Sequence, residues 1–317
     1  MSWADQEERG AGWLLRLGFA LVRRFGWLVG RAIALGAVAW FLLTSPRARH
    51  ASADYLGRVL GRPATALDVA RHFDQFACAI LDRVMLLSGQ EAEYKIEVDG
   101  LDALLDLSRA GRGAILLGAH LGSFEVLRTL ARNAPAPVWA LMYRRRGGAL
   151  TALLDQIAPQ VRERVLEIGD TASMIQAREC VERGEVVGIL ADRSPPGHRL
   201  VEAPFLGGTA RFPSGPFILA AMLGAPVFLF HGVSTGRQRY RIGIEKFADR
   251  IVLRRAERAA DLRSCVHRYA SALERLCHAY PFQWFNFFPF WESDDADQGK
   301  AQPAAAAPAR APAPRPG

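Results

Sequence analysis

The residue best placed to do chemistry is His120, in the run AILLGAHLGSFE that spans residues 114–125. The apolar stretch AILLG reads as a buried strand. His120 therefore falls just beyond a strand's C-terminal end, where open α/β sheets place their ligands. Glu125 follows at H-x4-E spacing, in the first turns of the next helix, where the helix dipole favours a carboxylate. That spacing lets Glu125 fold back towards His120. A carboxylate there would fix one imidazole tautomer and stabilise the imidazolium, which suits His120 to take a proton from a hydroxyl. Spacing alone equally describes a His that caps a helix.

Three other places carry candidate residues. Asp192 and Arg193, in LADRSPPG, fall at another strand end. They either line the same cleft and position an acceptor or form a turn nucleated by Asp and Pro. Arg144 opens the basic run Arg144-Arg145-Arg146, whose consecutive members cannot all share one face. Arg211, in GTARFPSG, precedes a helix whose N-terminus could hold an anion. Several chemistries are excluded. H-x4-E is not the HExxH of a zinc protease, and no GxxxxGK[ST] loop is present. LGSFE and FPSGP both fail the GxSxG elbow of a serine hydrolase. Basic charge alone, spread along the chain, does not make a nucleic-acid surface.

The elements that must position these residues follow from periodicity. Strand-like runs fall at Tyr94–Val98, Ala114–Gly118, Val138–Met142, Val165–Ile168, Val186–Leu190, Val227–Phe230 and Tyr240–Phe247. Helical patterns separate most of them, near 102–110, 123–133, 148–160, 171–183 and 213–223, and a last helix covers Ala259–Tyr280. Two helices, Ala51–Leu60 and Thr65–Leu87, precede the first strand. This alternation predicts an α/β fold with a mixed, largely parallel central sheet flanked by helices.

The flanking regions differ in kind. Gly12–Leu43 has no acidic residue and is apolar except for Arg16, Arg23, Arg24 and Arg31, with Trp27 and Trp40 flanking its most apolar run. Basic residues with interfacial Trp suit a membrane-associating helix, spanning or in-plane. Residues 1–50 are read as that anchor region, 51–292 as the α/β domain and 293–317 as an Ala/Pro-rich disordered tail. The formal net charge is +8, and of 40 basic residues only Lys95, Lys246 and Lys300 are not Arg. Arg binds phosphates bidentately, so anionic headgroups are one reading of that bias; a GC-rich genome is the plainer one. The four Cys are scattered without CxxC spacing, which fits reduced thiols of a cytosol-facing protein. The acidic start MSWADQEERG is the opposite of a secretory signal.

Taken in order, GAHLGSFE, LMYRRRGGALTALLDQI, GEVVGILADRSPPG and VEAPFLGGTARFPSGPFILAAMLGAPVFLF resemble the lysophospholipid acyltransferase superfamily, in its bacterial lipid A late acyltransferase branch. The resemblance runs over most of residues 12–292. It implies a glycerolipid acyltransferase-like fold with a membrane-anchoring N-terminus at the cytoplasmic face of the bacterial inner membrane. It also implies transfer of an acyl chain from a thioester, on acyl carrier protein or coenzyme A, to a hydroxyl of a lipid A-like glycolipid or other envelope lipid. His120 and Glu125 would be the catalytic pair, Arg144 an oxyanion or phosphate contact, and Asp192, Arg193 and Arg211 substrate-binding residues. No metal or other cofactor is implied. Inner-membrane lipids and an acidic acyl carrier protein, which a +8 surface would steer, are the expected partners, with no nucleic acid. The ending PFQWFNFFPFW looks more like acyltransferase-like proteins of other envelope lipids or aryl-polyene pigments. A lipid-binding or assembly subunit without catalysis, and an acyl hydrolase using the same His, are the alternatives.

Overall fold

In the computed structural model the described residues are 12–126, 137–142, 164–193 and 197–291. Four helices come first: α1 (Gly12–Phe25), α2 (Trp27–Thr44), α3 (Pro46–Leu60) and α4 (Ala66–Leu87). The basic, apolar N-terminal region is thus two helices. Gly26, at φ 78°, breaks them in a conformation that L side chains rarely adopt. α4 starts at a capping box: the Thr65 hydroxyl accepts from the Asp68 N–H, and Asp68 accepts from the Thr65 N–H.

The α/β part contains a seven-stranded sheet with the order β1-β9-β8-β2-β5-β3-β4. Its strands are β1 (Lys95–Asp99), β2 (Ala114–Gly118), β3 (Val138–Met142), β4 (Val165–Glu167), β5 (Val186–Leu190), β8 (Val227–Gly236) and β9 (Arg239–Ala248). Every neighbouring pair is parallel except β8 and β9. Helices α5 (Asp102–Arg109), α6 (Thr171–Glu182), α7 (Gly215–Leu223) and α8 (Arg258–Ala279) accompany the sheet. The expected mixed, largely parallel sheet is therefore the fold. All of β2 is buried, as a central parallel strand of Val, Ile and Leu type requires.

Two features differ from the expectation. The run expected to end at Phe230 continues to Gly236, because β8 pairs with β9 along most of its length. A separate two-stranded antiparallel sheet, β6 (Leu200–Phe205) and β7 (Gly208–Pro213), had not been expected as strands. Pro204 and the Gly207-Gly208 turn obscure its alternation, and Ala203, Phe205, Ala210 and Phe212 form its buried side. Residues 127–136 and 143–163, which hold most of two expected helices, and the tail at 293–317 lie outside the described residues.

The N-terminal pair is tied to the domain by polar contacts as well as by packing. Asp82 of α4 is buried and accepts from the Trp27 indole at 3.0 Å and from the Tyr94 and Tyr240 hydroxyls, both at 2.7 Å. Arg31 of α2 pairs with Asp74 of α4 at 2.7 Å. Gly30 lets α2 approach α4 closely, since a Cβ there would strike Leu81. The opposite side of α2 leaves Leu28, Leu35, Trp40 and Leu43 exposed. Asp82→Ala would leave two buried hydroxyl donors and one part-buried indole donor without their acceptor. It should lower unfolding free energy by about 3 kcal/mol, read from urea midpoints of the detergent-solubilised protein.

Candidate active site

The geometry of the site starts from strand register. β2 and β5 are adjacent and parallel, with Gly118 opposite Leu190. His120 lies two residues beyond β2 and Asp192 two residues beyond β5, so the pairing carries them to the same place. The chain leaves β2 for β3 on the far side of β5, and leaves β5 for β8 on the far side of β2. Such a reversal opens a crevice at the carboxyl ends of the strands. The Ala191 N–H donates to the Gly118 carbonyl at 2.9 Å and extends the ladder up to the site.

At this point His120 Nδ1 lies 2.8 Å from Asp192 Oδ1, and the His120 backbone N–H donates to Asp192 Oδ2 at 3.1 Å. The carboxylate beside the imidazole is thus Asp192, where the sequence spacing had pointed to Glu125. Glu125 is buried in the first turn after the His120 loop and pairs with Arg83 of α4 at 3.3 Å. Local spacing favours a partner on the same loop, but register across two strands supplies one at 2.8 Å. Arg83 had no signal in the sequence.

Arg193 is also at the site. Its Nη2 donates to Asp192 Oδ2 at 3.2 Å and to the Phe285 carbonyl at 3.2 Å, and its guanidinium lies over the Phe288 ring at 5.1 Å. Arg211 is elsewhere in its bonding: it sits on β7 and pairs with Glu202 across the hairpin at 3.5 Å. Arg144 lies outside the described residues.

A strap formed by residues 283–285 closes the site from the C-terminal side. The Gly122 N–H donates to the Gln283 carbonyl at 2.8 Å, and the Phe285 N–H donates to the His120 carbonyl at 2.9 Å. The Trp284 indole donates to Asp192 Oδ2 at 3.1 Å. On its other side the His120 loop is held by β8, through the Ser123 N–H on the Gly232 carbonyl at 2.7 Å. Gly122, at φ 69°, must be glycine, because a Cβ would collide with that same carbonyl. The aromatic run stood out in the sequence only for its likeness to other envelope-lipid acyltransferase-like proteins, and nothing in its pattern named the indole as a site group.

Electrostatics define the protonation states. Asp192 is fully buried, which by itself would raise its pKa; the charges of His120 and Arg193 and the hydrogen bonds from His120 overcome this and hold it well below the usual carboxylate range. An ionised carboxylate only accepts, so Nδ1 of His120 carries the hydrogen and Nε2 has the lone pair. Burial, and then the Arg193 charge, lower the His120 pKa against the pull of Asp192. The imidazole is therefore neutral at neutral pH, and its side chain is still 37% exposed.

His72 of α4 supports the strap from below. Its Nε2 donates to the Trp284 carbonyl at 3.0 Å, and its Nδ1 accepts from the Ser52 hydroxyl at 2.8 Å. Burial lowers its pKa from 6.5 to about 4. The unfolded chain binds a proton at this residue below pH 6.5, whereas the folded protein does so only near 4. Stability is therefore lost progressively as pH falls between those values, by about 3 kcal/mol at pH 4. His72→Gln, which keeps a donor for the Trp284 carbonyl, should shrink the drop in urea midpoint between pH 7 and 4.5.

A lone-pair nitrogen backed by a buried carboxylate, at the mouth of an α/β crevice, is the arrangement of an enzyme that removes a proton from a nucleophile. The comparisons specify the class. Residues 7–293 match the model of the bacterial lipid A biosynthesis acyltransferases, and the chain belongs to that family. It is an acyltransferase of the lipid A late acyltransferase type. It is also 25% identical over 309 residues to the phosphatidylinositol mannoside acyltransferase of two Mycobacterium tuberculosis strains, covering 87% of this chain and 90% of each relative. The family and α2, long and apolar enough to cross a membrane, point to membrane association.

Proposed function

We propose that the protein transfers a fatty acyl chain from an acyl thioester to a hydroxyl of a membrane glycolipid or other envelope lipid, with His120 as general base. The supporting observation is the 2.8 Å contact between His120 Nδ1 and the buried Asp192 carboxylate. His120 Nε2 takes the hydroxyl proton as the alcohol oxygen attacks the thioester carbonyl. The C–O bond forms, the C–S bond breaks, and the His120 imidazolium returns the proton to the leaving thiolate, which regenerates the neutral base. Asp192 holds the tautomer and offsets the positive charge that grows on the ring. Glu125 and Arg83 anchor the helix that starts beyond the His120 loop. Arg144 is our candidate for the developing oxyanion, and Arg193 and Arg211 for substrate contacts.

Acyl carrier protein and coenzyme A both present the required thioester and both are anionic, so the +8 charge would attract either donor. The family name and the mycobacterial relatives both concern glycolipids, which supports a glycolipid acceptor; a lipid A-like molecule is our first choice and a pigment lipid the alternative. We place the enzyme at the cytoplasmic face of the inner membrane. The Arg31–Asp74 pair and the Asp82 contact seal one side of α2 against α4 and favour an in-plane helix over an independent span.

The test is mass spectrometry of membrane lipids from a deletion strain complemented with wild type, His120→Ala, Asp192→Asn or Glu125→Gln. A lipid heavier by one acyl group should appear with wild type, be lost with His120→Ala and Asp192→Asn, and be reduced with Glu125→Gln. Turnover of His120→Ala should fall by about 10^3 or more. Full lipid restoration by Asp192→Asn would overturn the pair, and an unchanged lipid profile in the deletion strain would overturn acyl transfer to a membrane lipid. Since His120 must be neutral to act, kcat/KM should stay flat through pH 7 and fall only below 6.5. A pH–rate profile with a palmitoyl thioester checks this.

A further inference from the structure

We propose that Trp284 is a positioning residue of the acyl-transfer site, its indole N–H fixing Asp192 Oδ2 so that Oδ1 is presented to His120 Nδ1. The inference rests on His120 and Asp192 being the proton-handling pair. Asp192 Oδ2 accepts from three groups: the His120 N–H, Arg193 and the Trp284 indole at 3.1 Å. The first belongs to the loop that the carboxylate must orient, and the second brings a charge that lowers the basicity of His120. The indole is a neutral donor with no acceptor capacity. It can hold the carboxylate ionised and oriented without that charge penalty.

Its own orientation is overdetermined. Trp284 is 0% exposed, and its ring meets Tyr55, Phe205 and Phe290 edge-on with centroids at 5.0, 5.3 and 4.9 Å. Its carbonyl is held by His72, and the next residue bonds to both His120 and Arg193. The indole is therefore a rigid post between α4 and the two strand ends. The charged and titratable groups facing the pair are Arg193, from the loop after β5, and Tyr269 and Cys277 of α8. Burial raises both of the latter, so they stay un-ionised at neutral pH. Glu125, with Arg83, lies five residues along from His120.

Trp284→Phe keeps an aromatic ring but removes the donor together with part of the indole's volume, a packing loss for which a second variant controls. Without it the Asp192 carboxylate is less neutralised and attracts the imidazolium more strongly. The His120 pKa should rise, by about half a unit, and kcat/KM at neutral pH should fall about tenfold with little change in KM for the thioester. The pKa is read without any substrate, from the pH dependence of diethyl pyrocarbonate modification at His120, mapped by mass spectrometry on the detergent-solubilised full chain. Activity is read with palmitoyl-coenzyme A and a membrane lipid extract.

Phe290→Leu is the companion variant, since it loosens the same ring without touching Asp192. It should lower Tm as Trp284→Phe does and leave the His120 pKa in place. A Trp284→Phe protein whose modification profile and pH–rate limb coincide with wild type would overturn the inference. So would equal pKa shifts in both variants, which would make the effect one of packing. If Asp192→Asn kept full activity, the underlying pair would fail instead, a separate result from the same assays.

Discussion

A carboxylate with no solvent contact has to find its donors inside the protein, because an uncompensated buried charge costs several kcal/mol. Asp192 is such a group, and the parts that supply its donors come from distant stretches of chain. His120 comes from the end of β2, Arg193 from its own loop, and Trp284 from the strap after α8. Satisfying one oxygen pair thus fixes the relation of the two central strand ends to the C-terminal segment. The strap is itself fixed at Gln283, whose side-chain amide exchanges two hydrogen bonds of 2.8 Å with the Ser234 backbone on β8. It is held again at the Trp284 carbonyl by His72. The site is rigid because polar groups that must be satisfied all converge on it.

This arrangement explains which parts could be read from sequence. A strand of five buried apolar residues followed by His is a local pattern, so β2 and the place of His120 were legible. The same holds for β5 and Asp192. What joined them was strand order, and order is a long-range property with no local trace. Without it, the carboxylate nearest in sequence, Glu125, was the natural partner for His120. With β2 against β5 in parallel register, the partner lies 72 residues away. The hairpin β6–β7 was missed for the opposite reason. Its residues alternate correctly, but Pro204 and two glycines interrupt the run, and the strands are defined mainly by each other.

The N-terminal helices show a similar limit. Arg31 beside an apolar run made the region ambiguous between spanning and in-plane placement. The structure gives Arg31 a carboxylate in Asp74 and gives Trp27 another in Asp82, both on α4. These contacts divide α2 into a docked side and an exposed apolar side. We favour an in-plane α2 over an independent span, because α4, docked on one side of it and carrying charged residues of its own, would have to follow it into a bilayer. An interfacial helix satisfies both sides at once. Its docked side keeps its hydrogen bonds, and its apolar side leaves water.

The His–Asp pair answers only one question about specificity. Removing a proton from a hydroxyl requires a base at the right distance and pKa, and those requirements are the same for any alcohol acceptor. Discrimination between acceptors must come from groups that contact the acceptor away from the reacting hydroxyl, because only they differ between bound states. At 25% identity the acceptor named for the mycobacterial relatives does not by itself carry over to this chain. The proposed base, held by strand register and an internal tryptophan, would leave the surface loops free to change. Acceptor choice can then diverge while the chemistry stays where the fold put it.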